Sequence, residues 1–182
     1  MLTVSVESNV KEQLARLESG RRDLEEKAIV RALNRTADNV RAEAVRRIRE
    51  TYTLKASTVR GQMSIGKAWS GKLEASVSAN GRPVPLYEFS ARWTPRMKGA
   101  SFAVKKGSRK TLPHTFIATM KSGKVGVFER KGSNRLPIEQ KFSIGMPGMF
   151  GAKQVQTVLE QLAFDSFDKN FSQQIKYLFP ER

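Results

Sequence analysis

A chain of 182 residues, 39% hydrophobic with ten Phe and two Trp, is long and apolar enough to fold around a core and is not a wholly disordered polyelectrolyte. Its net charge of +16 and pI near 10.5 point to a polyanionic partner: nucleic acid, an anionic membrane or an acidic protein surface. The lack of cysteine excludes disulfides and thiolate metal sites and suits a reducing compartment.

The opening Met1-Leu2-Thr3-Val4-Ser5 has neither the basic start nor the apolar run of a secretory signal, which predicts a soluble protein made in a cytoplasm. No run approaches the roughly 18 apolar residues of a membrane span. Ser8 as an N-cap, followed by Val10, Leu14 and Leu17, predicts a first helical segment, and Ser19-Gly20 a break or kink. From about Asp23 to Tyr52, Leu24, Ala28, Ala32, Leu33, Ala37, Val40, Ala44, Val45 and Ile48 recur at i, i+3/i+4 and predict one long helix. The Ala-rich seam suits close packing against a neighbouring subunit or against the chain's own sheet. Leu54–Ile65 reads as a short connector helix with Ser57 or Thr58 near its start.

The composition then changes. Residues 72–78 alternate apolar with polar, the two-residue period of a half-buried strand, and Asn80-Gly81 is a turn signal. Val84–Phe89 is a second extended run, which Pro83 and Pro85 place at a sheet edge or make irregular. Ser101–Lys105, Thr115–Met120, Val125–Arg130 and Ile138–Ile144 are further strand candidates, with a hairpin turn from Met120 to Val125. Gln154 to Phe179 is helical again, with an apolar stripe through Val155, Val158, Leu159, Leu162, Phe167, Phe171, Ile175 and Leu178. The predicted fold class is α+β: long N-terminal helices and a C-terminal helix packed on a mostly antiparallel β-sheet. One domain is expected over residues 1–182. It comprises a helical N-terminal region (residues 1–65), a β-sheet region carrying basic loops (residues 70–148) and a C-terminal helix (residues 152–179).

Catalytic chemistry has little to draw on. His114 is the lone histidine, no Gly-rich phosphate loop is present, and Glu74, Glu88 and Glu129 have no meaningful spacing. No catalytic residue, metal ligand or cofactor is expected, and the chain does not read as an enzyme. The charge is more informative. Between Ser90 and Arg135 twelve Lys/Arg face a single acid, Glu129, so +11 of the total +16 lies in about a quarter of the length. Lys105, Lys106, Arg109, Lys110, Lys121, Lys124, Arg130, Lys131 and Arg135 sit on Gly/Ser loops suited to contact phosphate without reading bases, or to meet an acidic partner. Phe102, Phe116 and Phe128, interleaved with the charges, fit core packing better than base stacking. Trp93, beside Arg92 and Arg96, is a candidate protein-interface or cation–π residue; it could equally anchor a core. Met146, Met149 and Phe150, on a Gly/Pro-rich run, are candidate protein contacts or a tucked-in connection.

Several segments together resemble a known family: Arg31-Ala32-Leu33-Asn34-Arg35-Thr36-Ala37, Pro85–Phe89, Phe116-Ile117-Ala118 before a glycine hairpin, and Gly126–Arg130 followed by Leu136-Pro137-Ile138. In order and spacing, over roughly residues 20 to 165, the chain is similar to the prophage minor tail protein Z family of lambda-like long-tailed phages. The resemblance implies a structural protein at the head-proximal end of the virion tail, assembled in the host cytoplasm. It implies a role in tail completion and head–tail joining, beside the tail terminator and head–tail connector, and placement of the DNA end. It brings no catalytic or DNA-contacting residues. A homo-oligomeric ring and contact of the basic loops with the DNA phosphate backbone are inferences from charge; no membrane partner is expected. A sequence-nonspecific nucleic-acid-binding module is the alternative.

Overall fold

The computed structural model describes Thr3–Ser5 and residues 22–178. The first helical segment expected around Ser8, Val10, Leu14 and Leu17, and the break at Ser19-Gly20, lie outside the described residues. The chain is α+β with antiparallel strand pairing, as its sequence predicts.

The long helix expected from Asp23 forms as α1, Arg22–Thr51, preceded by a short strand β1, Thr3–Ser5. Its period-3.6 stripe is buried: Ala28, Ile29, Ala32, Leu33, Val40, Ala44 and Ile48 are all at most 2% exposed. The last helix, Lys153–Leu178 (α4 below), lies on that stripe and is the most extensive partner of α1. It brings Leu159, Ala163, Phe167 and Phe171 to the shared core. Between the helices the buried Asn170 amide donates to Thr36 Oγ1 at 3.1 Å, so a polar pair inside the seam is satisfied. The small Ala side chains of α1 are therefore used within the chain, against α4 and the neighbouring strands.

The connector helix is shorter than its sequence suggests. α2 spans Ala56–Gly61, and Met63–Gly66 is a strand, β2. No side chain caps α2; Thr58 Oγ1 instead donates to Glu88 Oε2 at 2.8 Å. Eight more strands follow β2 and then β3 (Ser76–Ala79): β4 (Pro83–Pro85), β5 (Arg92–Thr94), β6 (Gly99–Phe102), β7 (Lys110–Pro113), β8 (Thr115–Thr119), β9 (Val125–Arg130), β10 (Ile138–Gln140) and β11 (Phe142–Gly145). They do not form one sheet. The orders β1-β3-β2, β5-β6-β7, β10-β9-β8 and β11-β4 make four small antiparallel sheets. The single strand expected at Ile138–Ile144 divides at Lys141. There the backbone N–H donates to Val127 O and the carbonyl accepts from Leu86 N, so the chain leaves β9 and pairs with β4. The proline-bearing β4 has β11 as its sole partner among the described strands, the edge position its two prolines require.

After β11 a short helix, α3 (Met146–Phe150), precedes α4, with Pro147 in its first turn. Met146, Met149 and Phe150 are all 0% exposed. They are core residues, which corrects their assignment as protein contacts: the helix turns three large apolar side chains inward, and none is left at the surface.

Candidate polyanion-binding surface

Among the described residues, the acids do not cancel the basic block. On α1, Arg46 and Arg47 both reach Glu43 at 2.7 Å. The hydrogen bond from Arg46 holds the Glu43 carboxyl below its usual range, with burial opposing. Arg41 meets Asp38 at 3.1 Å and Arg47 also approaches Glu50 at 3.4 Å, so these helix arginines are locally compensated. Within the basic block the lone acid, Glu129, meets Lys141 Nζ at 2.6 Å. The hydrogen bond to Glu129 raises the Lys141 ammonium above its ordinary value. Lys141 lies outside the block, so Glu129 is occupied by a cation from elsewhere and the block keeps its positive field.

All nine loop cations are exposed: Lys105, Lys106, Arg109, Lys110, Lys121, Lys124, Arg130, Lys131 and Arg135. They differ in how they are held and where they lie. Lys105 and Lys106 are tied to the C-terminus of α1: Lys105 forms a backbone bridge with Tyr52, and Lys106 N–H donates to Thr51 O at 2.9 Å. Positive charge is favourable at that helix end. Arg109 has a scaffold role. Its guanidinium donates to Ser101 O, Ser101 Oγ and Ser90 O, pinning the β6–β7 loop to the strand before it. Lys121 and Lys124 stand on the β8–β9 turn, closed by Gly123 N–H to Met120 O and turned at Gly123 with φ +77. Arg130, Lys131 and Arg135 stand at the other end of β9, a strand about 17 Å long. Lys105–Lys110 occupy the loop at one end of the β6–β7 pair, whereas Lys98 and His114 lie at its other end. The structure therefore distributes the nine residues over separate stations, not one patch.

The aromatics interleaved with these charges are mainly packing. Phe128 is buried, and Phe116 lies half-buried against it with ring centroids 6.2 Å apart. Phe116 also meets Arg130, whose Cζ is 4.9 Å from the ring centroid, a cation–π distance. Phe102 is half-buried against the core. Trp93, by contrast, is 52% exposed on β5, with Arg92, Arg96 and the exposed Met97 nearby in sequence, so its ring is open to a partner.

Two features escape a reading of the sequence. Asn34, inside the helix segment that carries the family resemblance, uses both ends of its amide on a distant loop. It donates from Nδ2 to Ala68 O at 3.0 Å and accepts at Oδ1 from Ala68 N at 2.8 Å. Glu26 accepts from Gly71 N at 2.8 Å. Between these clamps the tight turn 69–72 holds Trp69, 58% exposed, with Lys72 Nζ 5.7 Å from its ring centroid. An Asn within a helical run looks like an ordinary polar position, and only the tertiary partner reveals its use. The second feature is an open hollow lined by Lys98, His114, Thr115, Phe116, Glu129, Arg130, Gly132 and Ser133.

Glu74 lies 3.7 Å from Lys72, Glu88 accepts from Thr58, and Glu129 holds Lys141, so the three carboxylates have separate partners. Among the described residues no three His, Asp or Glu side chains converge to hold a metal ion. No helix among them is long and apolar enough to cross a membrane.

A family model described as Prophage minor tail protein Z (GPZ) matches residues 9–180, nearly the whole chain. The chain belongs to that family. No curated protein and no solved structure matches it significantly. Membership of the minor tail protein Z family makes this a structural phage tail protein of prophage type. The match extends the sequence resemblance at both ends, and it includes all of α1 and α4, the helix pair that forms the spine of the fold.

Proposed function

We propose that this minor tail protein Z acts at the head-proximal end of the tail, completing it for joining to the head. Its exposed cations would hold the entering DNA end by its phosphates. The observation that carries this reading is the uncompensated charge: a +11 segment whose only acid is engaged by Lys141, displayed on loops that the fold anchors at their bases. A protein that reads no sequence and performs no chemistry still gains from such a surface, because counterion release makes phosphate contact favourable on any DNA. Several copies in a closed ring, joined by a heterologous interface, would line a channel with positive charge. Acidic rims on the tail terminator or the head–tail connector would be drawn to the same surface and oriented by it. The exposed Trp93 suits the apolar centre of such a contact.

The competing reading is a free, sequence-nonspecific nucleic-acid-binding module, which the same charge also supports. Position separates the two. Immunogold labelling of purified virions is expected to place this protein at the junction of tail and head. Label at the distal tail tip would overturn the head-proximal assignment. Virions without label, from a lysate containing the protein, would favour the free module.

A further inference from the structure

We infer that the hollow between Lys98, His114 and Arg130 is a phosphodiester site, with Lys98 and Arg130 as its cations and His114 as a polar partner. The inference rests on the DNA-holding element of the proposed function and gives it a place.

Four observations converge on the hollow. It is open to solvent and measures about 570 Å³, in the range of small-ligand sites and roomy enough for a phosphate with its sugar. Its backbone is set in an uncommon way. Lys98 (φ 43) and His114 (φ 59) are both left-handed, a conformation that residues other than glycine seldom adopt and that clusters at ligand sites. They are joined by His114 N–H to Lys98 O at 3.2 Å. Next to Lys98 the two strands approach so closely that a Cβ on Gly99 would collide with the Leu112 carbonyl. The Lys98 and His114 backbones are thus held against each other at the same strand end.

The cations are also prepared. Arg130 rests on the Phe116 ring, which restricts its head beside the hollow and lowers the ordering cost of binding. The charged and titratable groups lining the hollow are Lys98 from the turn before β6, His114 between β7 and β8, and Glu129 and Arg130 from β9. Glu129 is the single carboxylate among them, and Lys141 engages it at 2.6 Å. Arriving phosphate therefore meets a hollow whose one carboxylate is already neutralised from outside. The His114 imidazole adds a polar ring N–H beside the two cations.

The test uses the full chain and fluorescently labelled oligonucleotides, single-stranded and duplex, followed by anisotropy across a salt titration. R130Q and K98N, the latter a substitution that tolerates the left-handed backbone, should each flatten the duplex log-affinity against log-salt line by about 0.9, one phosphate contact, with melting curves confirming the fold. H114A should weaken binding about fivefold, the loss of one hydrogen bond, with the salt slope unchanged. Unchanged salt slopes in R130Q and K98N would overturn the hollow as the site while leaving DNA holding by other loops intact. A wild type that binds neither oligonucleotide would remove the hollow and the DNA-holding reading together.

Discussion

Phe150→Ala is expected to destabilise the protein by about 3–5 kcal/mol, because it deletes a fully buried ring and leaves a cavity that the surroundings only partly fill. That is a large share of the ~5–15 kcal/mol that holds a typical domain together, and it corresponds to a fall in Tm of about 10 °C. The same logic covers Met146 and Met149, also fully buried on the short helix α3. Trp93→Ala is the contrast. Its ring is more than half exposed, so truncation should change stability by no more than about 0.5 kcal/mol. Urea unfolding of the two variants separates a core residue from an exposed one. An unchanged midpoint for Phe150→Ala would mean that α3 does not seat its aromatic in the core.

Replacing Lys105, Lys106, Lys121, Lys124 and Lys131 together by Gln is expected to weaken binding to duplex DNA by about a thousandfold near 0.15 M salt. The estimate follows from counterion release: five lost phosphate contacts remove about 4.5 from the slope of log affinity against log salt. All five side chains are exposed, so the fold should survive their neutralisation. Arg109 and Arg130 are left in place. The first braces the β6–β7 loop through Ser101 and Ser90, so changing it would mix charge with structure, and the second is tested singly at the hollow. A salt titration of both proteins checks the result. Equal slopes would show that these loops do not touch phosphate and would direct attention to an acidic protein partner. Because the loops occupy both ends of β9 and the far end of the β6–β7 pair, a partial effect is informative too. Loss confined to one station would show which end of the fold meets DNA.

The helices are the most legible elements of the sequence. α1 and α4 each begin and end within a residue of the expected bounds, because thirty and twenty-six residues of period-3.6 patterning leave little competing structure. β9 is also readable, since Gly123 marks its turn and the β-branched Val125 and Val127 with Phe128 favour a strand. Short strands are not. β5 and β7 are three and four residues long and bury none of their side chains fully, so they leave no alternating pattern to detect. β2 reads as helix because Val59 and Met63 are spaced by four; its pairing with β3 decides otherwise. The basic residues are legible as a run but not as an arrangement. Sequence adjacency suggests one surface, whereas the antiparallel strands send neighbouring loops to opposite ends. The tertiary clamp of Asn34 on Ala68 and the hollow at Lys98 and His114 depend on contacts between distant segments, which no local pattern carries.

The most direct test of the account is deletion of this gene in the parent phage or prophage, followed by electron microscopy of the lysate and a plaque assay. The account predicts DNA-filled heads beside separate tails of normal length and few infectious particles, with infectivity restored by the wild-type chain supplied in trans. Normal joined virions with undiminished infectivity in its absence would contradict a role in tail completion.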